Sequence, residues 1–219
     1  MRINKLIAGR LGISRRKADE FIEKDRVLVN GILPTAGMDI TDPSTVLVDK
    51  KPLPEEKKPI TILLNKPEGY VCSRDGQGSH TVYELLPSEL RFTNIVGRLD
   101  KDSSGLLLLT NDGELHNDLT HPSKDKEKTY HVTLNKMISE NDLEILSKKG
   151  VPLRDGISRF IILNLDTASF LYEVTLREGR NRQIRRTFNA MGYKIVTLQR
   201  TAVGNFSLGE IKPGEYKIV

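Results

Sequence analysis

Hydrophobic and polar positions change period several times along the chain, and the changes divide it. Leu6, Ile7 and Leu11 recur at helical spacing, and Ser14 is a suitable cap for a second helix over SRRKADEFIEKDR. Val27 and Val29, followed by Asn30-Gly31, predict a hairpin, with Val46 and Val48 in a later strand. KKPLPEEKKP (50–59) then breaks all periodicity with three prolines among charges. It predicts a small domain over 1–53, a linker over 54–59 and a larger domain over 60–219.

In the larger part ITILLN, the leucine run at 106–109, KTYHVTL, FLYEVTL and KIVTL are strand-like, while VYELLP reads as a helical turn. SENDLEILSKKG opens on a Ser139 cap and closes on Gly150, which predicts a helix. The pattern is α+β, with no regular βαβ alternation, no phosphate-loop glycine spacing and no internal repeat.

Composition narrows the class. The 219 residues are 37% hydrophobic and 29% charged, which suits a globular chain and not a disordered one. Aromatics are only 5%, with no Trp, so aliphatic side chains must build the core. Cys72 is alone, and His80, His116, His121 and His131 are scattered, so neither a disulfide nor a metal site is expected. The apolar run in MRINKLIAGRLG is too short for a signal peptide, and no stretch approaches a membrane span. A reducing cytoplasm is the expected location, and the absence of an apolar heptad predicts a monomer.

Net charge is +5, and the cations are not evenly spread. Residues 1–34 hold eight Lys or Arg against four acids. Arg15, Arg16 and Lys17 occupy the first turn of the second helix, the end whose dipole already favours anions. Contact with phosphates explains that placement better than a solvated surface does, and Arg2 and Lys5 are candidates for the same role. A second basic stretch, residues 177–200, has seven Lys or Arg and one acid. On a helix Ile184, Phe188 and Met191 form one apolar stripe ended by Gly192; Arg185 lies beside that stripe and Arg186 points away. Arg185 is therefore expected to turn inward; Arg180, Arg182 and Arg186 are placed to meet phosphates, which a merely solvated basic face explains equally well.

GRLDKDSSGLLLLTNDG (97–113) puts a charged loop at the mouth of an apolar strand. Asp, Ser and Gly together most often make a simple turn. Asp100, Asp102, Ser104 and Gly105 also match four positions of a calcium loop, but the required glutamate at position twelve is Asn111, so calcium is disfavoured. Arg98 and Asp100, two apart, face one side of an extended segment. An acid at the end of a buried strand needs a cationic partner to remain charged, and Arg185 is the expected one. In KTYHVTL, Lys128 and Tyr130 share a face; Tyr130 is either a core aromatic or a ring presented to a base, with its hydroxyl towards a reacting carbon.

GRLDKDSSGLLLLTNDGEL closely resembles the signature of the RsuA/RluB/RluE/RluF family of bacterial ribosomal RNA pseudouridine synthases. LNKPEGYVCS (64–73), EKTYHVTL (127–134) and EGRNRQIRRTF (178–188) agree with it in order and spacing, and residues 1–53 resemble the small α-L RNA-binding domain that many members carry. The resemblance implies a mixed, mainly antiparallel catalytic sheet and a cofactor-free, metal-free reaction. The bond from uracil nitrogen to ribose is cut, the base turns, and it is rejoined through carbon 5. It implies that Asp100 acts as nucleophile or general base, that Arg185 pairs with it, and that Tyr130 stacks on the uracil. Arg98 and Lys128 match further motif positions and are expected to meet RNA. The signature has Ser103 where many relatives have threonine. TNDGEL, HPS and EGRNRQIRRTF look closer to the large-subunit enzymes than to the small-subunit one. The alternative is a noncatalytic ribosomal-RNA-binding or ribosome-assembly protein that retains the fold.

Overall fold

The computed structural model describes residues 1–121 and 124–219; Pro122 and Ser123 of the HPS stretch lie outside the described residues. The chain forms two compact units, Met1–Pro59 and Ile60–Val219. No described helix is long and apolar enough to cross a membrane.

In the first unit α1 (Ile3–Leu11) and α2 (Arg15–Glu23) precede β1 (Val27–Val29), β2 (Val46–Val48) and β3 (Lys51–Pro52). The Ser14 hydroxyl accepts from the Lys17 N–H at 3.1 Å and so caps α2. Ile3, Leu6, Ile7, Ala18 and Ile22 pack on Val27, Val29, Val46 and Val48 to make the core. Asn30 and Gly31 turn the chain with φ of 51° and 79°, but the hairpin stops at the Val29–Ile32 bridge. β1 takes β2 as its antiparallel partner instead. Pro34, two residues beyond Ile32, has no N–H to extend the hairpin. The segment expected as a free linker is held within this unit: Arg10 donates to the Pro54 carbonyl at 3.0 Å and pairs with Glu56 at 3.4 Å.

The second unit runs β4 (Thr61–Lys66), β5 (Asn94–Val96), β6 (Ser104–Thr110), α3 (Gly113–Thr120), β7 (Lys128–Leu134), α4 (Glu140–Glu144), β8 (Val151–Leu153), β9 (Gly156–Ser158), β10 (Ile161–Asp166), β11 (Leu171–Leu176), α5 (Gln183–Ala190), β12 (Ile195–Val203), β13 (Phe206–Ser207) and β14 (Tyr216–Ile218). The main sheet has the order β10-β11-β7-β12-β6-β4-β14, with β5 and β13 attached to β6 and β12. All its pairings are antiparallel except β12 with β6. VYELLP is the single turn Val82–Leu85. The helix opened by Ser139 widens after Glu144 into a π-type turn over Ile145–Lys149, closed on Gly150.

The leucine run is continuous because β6 is buried on both faces. Leu107 and Leu109 pack with Ile62, Leu64, Val82 and Leu86 on one side. Leu106 and Leu108 pack with Leu63, Val96, Leu119 and Val203 on the other. All four leucines have no exposed surface. Gly105 lets β12 approach. At its φ of +99° a Cβ would stand 2.2 Å from the Arg200 carbonyl oxygen and 2.6 Å from the Arg200 nitrogen. Strain of this kind costs about 1–3 kcal/mol and overpacking a similar amount. Gly105→Ala is therefore expected to destabilise the second unit by about 2–5 kcal/mol, read as a lower urea midpoint than wild type at unchanged slope.

Candidate active site

The loop Gly97–Ser103 enters β6 with the carbonyls of Arg98, Asp100, Lys101, Asp102 and Ser103 engaged. Within the loop the Ser103 N–H donates to the Asp100 carbonyl at 3.1 Å, and the Gly69 N–H to the Lys101 carbonyl at 2.8 Å. The Lys66 amine, at the end of β4, donates to the Ser103 carbonyl at 2.6 Å and the Pro67 carbonyl at 3.0 Å. Arg185 donates to the Asp102 carbonyl and, at 3.2 Å, to the Ser103 hydroxyl. Arg200, on β12, donates from Nε to the Leu106 carbonyl at 2.8 Å and from Nη1 to the Arg98 carbonyl at 3.4 Å. The Leu99 N–H reaches the Cys72 sulfur at 3.4 Å, and burial pushes that thiol up. A loop held from this many sides has little freedom to move its acids.

The two acids sit differently. Asp102 receives both Arg182 Nη atoms at 2.9 and 2.7 Å, and Arg185 Nε stands 3.4 Å from it. The Arg182 hydrogen bonds, with the Arg185 charge, hold the Asp102 carboxyl below the usual range despite some desolvation. Asp100 is half-buried and, among the described residues, has one ion pair, to Arg182 Nη1 at 3.4 Å. The expected Asp100–Arg185 pair is not formed: Arg185 turns inward, as its place beside the apolar stripe requires, but meets Asp102 and Ser103. Asp100's cation is Arg182. That residue begins α5 in the left-handed region at φ 47°, a conformation rarely taken by residues other than glycine.

Asp100 lines a cavity of about 720 Å³ whose walls include Arg98, Tyr130, Lys128, Arg182, Arg185 and Arg200. Tyr130 is half-buried and packs against two clusters of the core, so it is both a core aromatic and a wall of this cavity. Lys128 donates to the Lys126 and Arg177 carbonyls at 3.1 and 3.4 Å; burial, with the Arg200 charge, pushes its amine down. Arg98 is exposed and also lines a second cavity of about 580 Å³ bounded by Glu68, Lys101 and Asp102.

Other arginines expected to meet phosphates are engaged within the fold. Arg180 donates to the carbonyls of Asp155, Gly156 and Ile157 and to the carboxylates of Asp155 and Glu178. Arg186 grips Asp155 at 2.9 and 2.8 Å. Asp155 lies in the turn between β8 and β9, so both arginines staple that hairpin to α5. Both arginines expected to meet phosphates therefore already hold a carboxylate within the fold. In the first unit Arg2 pairs with Asp39 at 3.6 Å and Lys17 with Glu20 at 2.8 Å. Lys5, Arg15 and Arg16 are exposed and form no ion pair among the described residues.

Sequence reasoning missed Lys66 and Arg200. Each is a cation at a buried position of a strand, with 0% and 3% of its surface exposed.

A family model described as RNA pseudouridylate synthase matches residues 60–190. The chain is 36% identical to "Ribosomal small subunit pseudouridine synthase A" of Escherichia coli (strain K12) over 99% of its own length and 95% of that protein's. It is 34% identical to "Ribosomal large subunit pseudouridine synthase B" of Bacillus subtilis (strain 168), over 98% and 90%. A crystal structure of a pseudouridylate synthase superposes with a TM-score of 0.72 at 32% identity, covering 100% of this chain and 96% of that one.

Burial holds the Lys66 amine below its ordinary value, against the pull of Cys72, Glu68, Asp102 and Asp100. The unfolded chain therefore binds more protons between that lowered value and the ordinary lysine value of about 10.4. Stability from this group rises with pH across that window. Thermal melts from pH 7 to 11 should show wild type gaining on Lys66→Met as pH increases; parallel curves would refute the assignment.

Proposed function

The chain belongs to the RNA pseudouridylate synthase family, and we propose that it isomerises a uridine of ribosomal RNA to pseudouridine in the Asp100 cavity. The observation that carries this reading is the half-buried Asp100 on a pinned loop, facing a cavity shared with Tyr130 and with Arg98, Lys128, Arg182, Arg185 and Arg200. Of the other acids on the cavity wall, Glu178 is taken by Arg180 and Gln183, and Asp125 is exposed.

Uracil within folded RNA cannot reach such a floor, so the nucleotide is turned out of its stack to enter it. Tyr130 stacks on the base, and its hydroxyl relays the carbon-5 proton, taking it as it passes its own to water. Asp100 acts on the ribose or the base, as nucleophile or general base, with Arg182 orienting its carboxylate and Arg185 holding the loop. The reaction is an isomerisation: nitrogen 1 gains the proton that carbon 5 loses, and no electron leaves the substrate. It needs no redox cofactor. Arg98 and Lys128 at the cavity, and Lys5, Arg15 and Arg16 on the first unit, are the cations for RNA phosphates.

The named relatives act on both ribosomal subunits and match almost equally well, so ribosomal RNA is the substrate proposed. The large-subunit preference rests on the TNDGEL, HPS and EGRNRQIRRTF stretches alone. We further read the enzyme as a cytoplasmic monomer.

Asp100→Asn is expected to lower tritium release from RNA labelled at uridine carbon 5 by about a thousandfold or more, while RNA affinity changes by less than about fivefold. Both subunits' RNA from a deletion strain should be mapped for the missing pseudouridine. Wild-type protein that binds the RNA yet releases no tritium would identify a noncatalytic binder instead.

A further inference from the structure

We propose that the second cavity is a subsite for the nucleotide next to the target uridine, read through an amino group of its base by the Glu68 carboxylate. This rests on the function proposed above and adds a second base to what the site recognises.

Three observations meet at this cavity. First, it shares a wall with the Asp100 cavity: Arg98, Leu99, Asp100 and Arg182 line both. The Arg182 guanidinium is fixed there by its bonds to Asp102 at 2.9 and 2.7 Å. Second, the charged side chains of the second cavity divide into satisfied and unsatisfied ones. Among the described residues Asp100 and Asp102 pair with Arg182, whereas Glu68 is exposed and has no ion pair and no side-chain hydrogen bond. Arg98 and Lys101 are exposed and have no ion pair among the described residues either; the Lys101 amine donates to the Ser79 hydroxyl at 3.0 Å. Third, the remaining wall is apolar, with Val71 and Cys72 half-buried and Leu99 buried. Burial pushes the Cys72 thiol up, so it faces a ligand uncharged. The Arg98 charge is among those that pull it back, which puts that guanidinium within reach of this wall.

The unsatisfied groups select the ligand. A free anion suits Arg98 and Lys101 but is repelled by Glu68, and a metal ion suits Glu68 but is repelled by the two cations. A nucleotide satisfies all three, with phosphates for the cations, an amino group for the carboxylate and a flat base for the apolar wall. RNA supplies that nucleotide already tethered. Once the target uridine occupies the Asp100 cavity, the phosphate joining it to its neighbour crosses the shared wall, where Arg98 is exposed. The neighbour therefore reaches the second cavity at a high effective concentration, and a modest contact is enough to hold it. A carboxylate accepts hydrogen bonds and cannot donate them, so it favours adenine, cytosine or guanine, which carry an amino group. Uracil carries none, and its one N–H stands between two carbonyl oxygens that repel the carboxylate.

The test uses the full chain and a ribosomal RNA fragment carrying the mapped target uridine. Each neighbouring base is exchanged in turn for the isostere that lacks only its amino group. One of the two exchanges should lower kcat/KM for the wild-type protein about tenfold, a readout that needs no variant to fold. Glu68→Ala should lose about as much on the native fragment and nothing further on the exchanged one, because the two changes then remove the same contact. Losses that multiply, or a Glu68→Ala as active as wild type on the native fragment, would overturn the proposal. A target with uracil on both sides would overturn it outright. Lys101→Ala should weaken the binding of both fragments alike, with a shallower salt dependence; an unchanged salt dependence would count against the subsite as decisively. Wild-type protein that releases no tritium would remove the functional reading beneath the proposal, whereas an active wild type indifferent to both exchanges would remove the subsite alone.

Discussion

The site depends on backbone carbonyls being held by buried cations. Lys66 takes the Ser103 carbonyl, Arg185 the Asp102 carbonyl, and Arg200 the Arg98 and Leu106 carbonyls. A short loop cannot satisfy its own carbonyls with regular ladders, and leaving them buried and unpaired costs about 1–3 kcal/mol each. Charged donors satisfy them more strongly than neutral ones and also fix their direction. Lys66 and Arg200 reach the loop from strands on either side of β6, so its backbone is anchored to the sheet itself. The acids of the loop inherit that rigidity.

The arginines of 177–200 divide according to the carboxylate each finds. Arg180 and Arg186 meet Asp155, and their charge is consumed in fastening the β8–β9 hairpin to α5. Arg182 and Arg185 meet Asp102, which leaves Asp100 a longer contact to the Arg182 Nη1 that Asp102 already holds. Asp102 thus carries most of the ion pairing in the loop, and Asp100 keeps an open flank towards the cavity. An acid satisfied on every side could orient a helix but could not act on a substrate. The two aspartates, two residues apart, are thus unequal: one is held by two arginines, the other lines the cavity with a single, longer contact to Arg182.

Much of this was legible in the sequence wherever local rules dominate. The β6 leucines, the strand at KTYHVTL, the Ser14 cap and the mixed α+β pattern follow from periodicity and capping chemistry, which act within a few residues. The inward turn of Arg185 followed from its angle on α5. Its partner did not, because helical phase says which way a side chain points and not which of two nearby acids it will meet. Asp155 was invisible for the same reason: nothing in VPLRDGIS says that a turn will fold back against α5. Lys66 and Arg200 were overlooked because each follows a polar neighbour, Asn65 and Gln199, and so looks like the exposed end of a strand. Only the three-dimensional position of the loop carbonyls turns each into a requirement.

These constraints explain why the charged loop and the leucine strand are contiguous. Arg200 can reach the Leu106 carbonyl only if β12 lies close beside β6, and that approach requires Gly105 to have no side chain. The close approach in turn needs a β6 that does not move, which burial of its leucines on both faces supplies. Reading back along the chain, the leucines hold the strand, the glycine admits Arg200, and Arg200 with Lys66 sets the carbonyls. The carbonyls then set the aim of Asp100. Each residue type between positions 98 and 109 therefore answers to its neighbour, and charge at the mouth of an apolar strand is what that dependence looks like in one dimension.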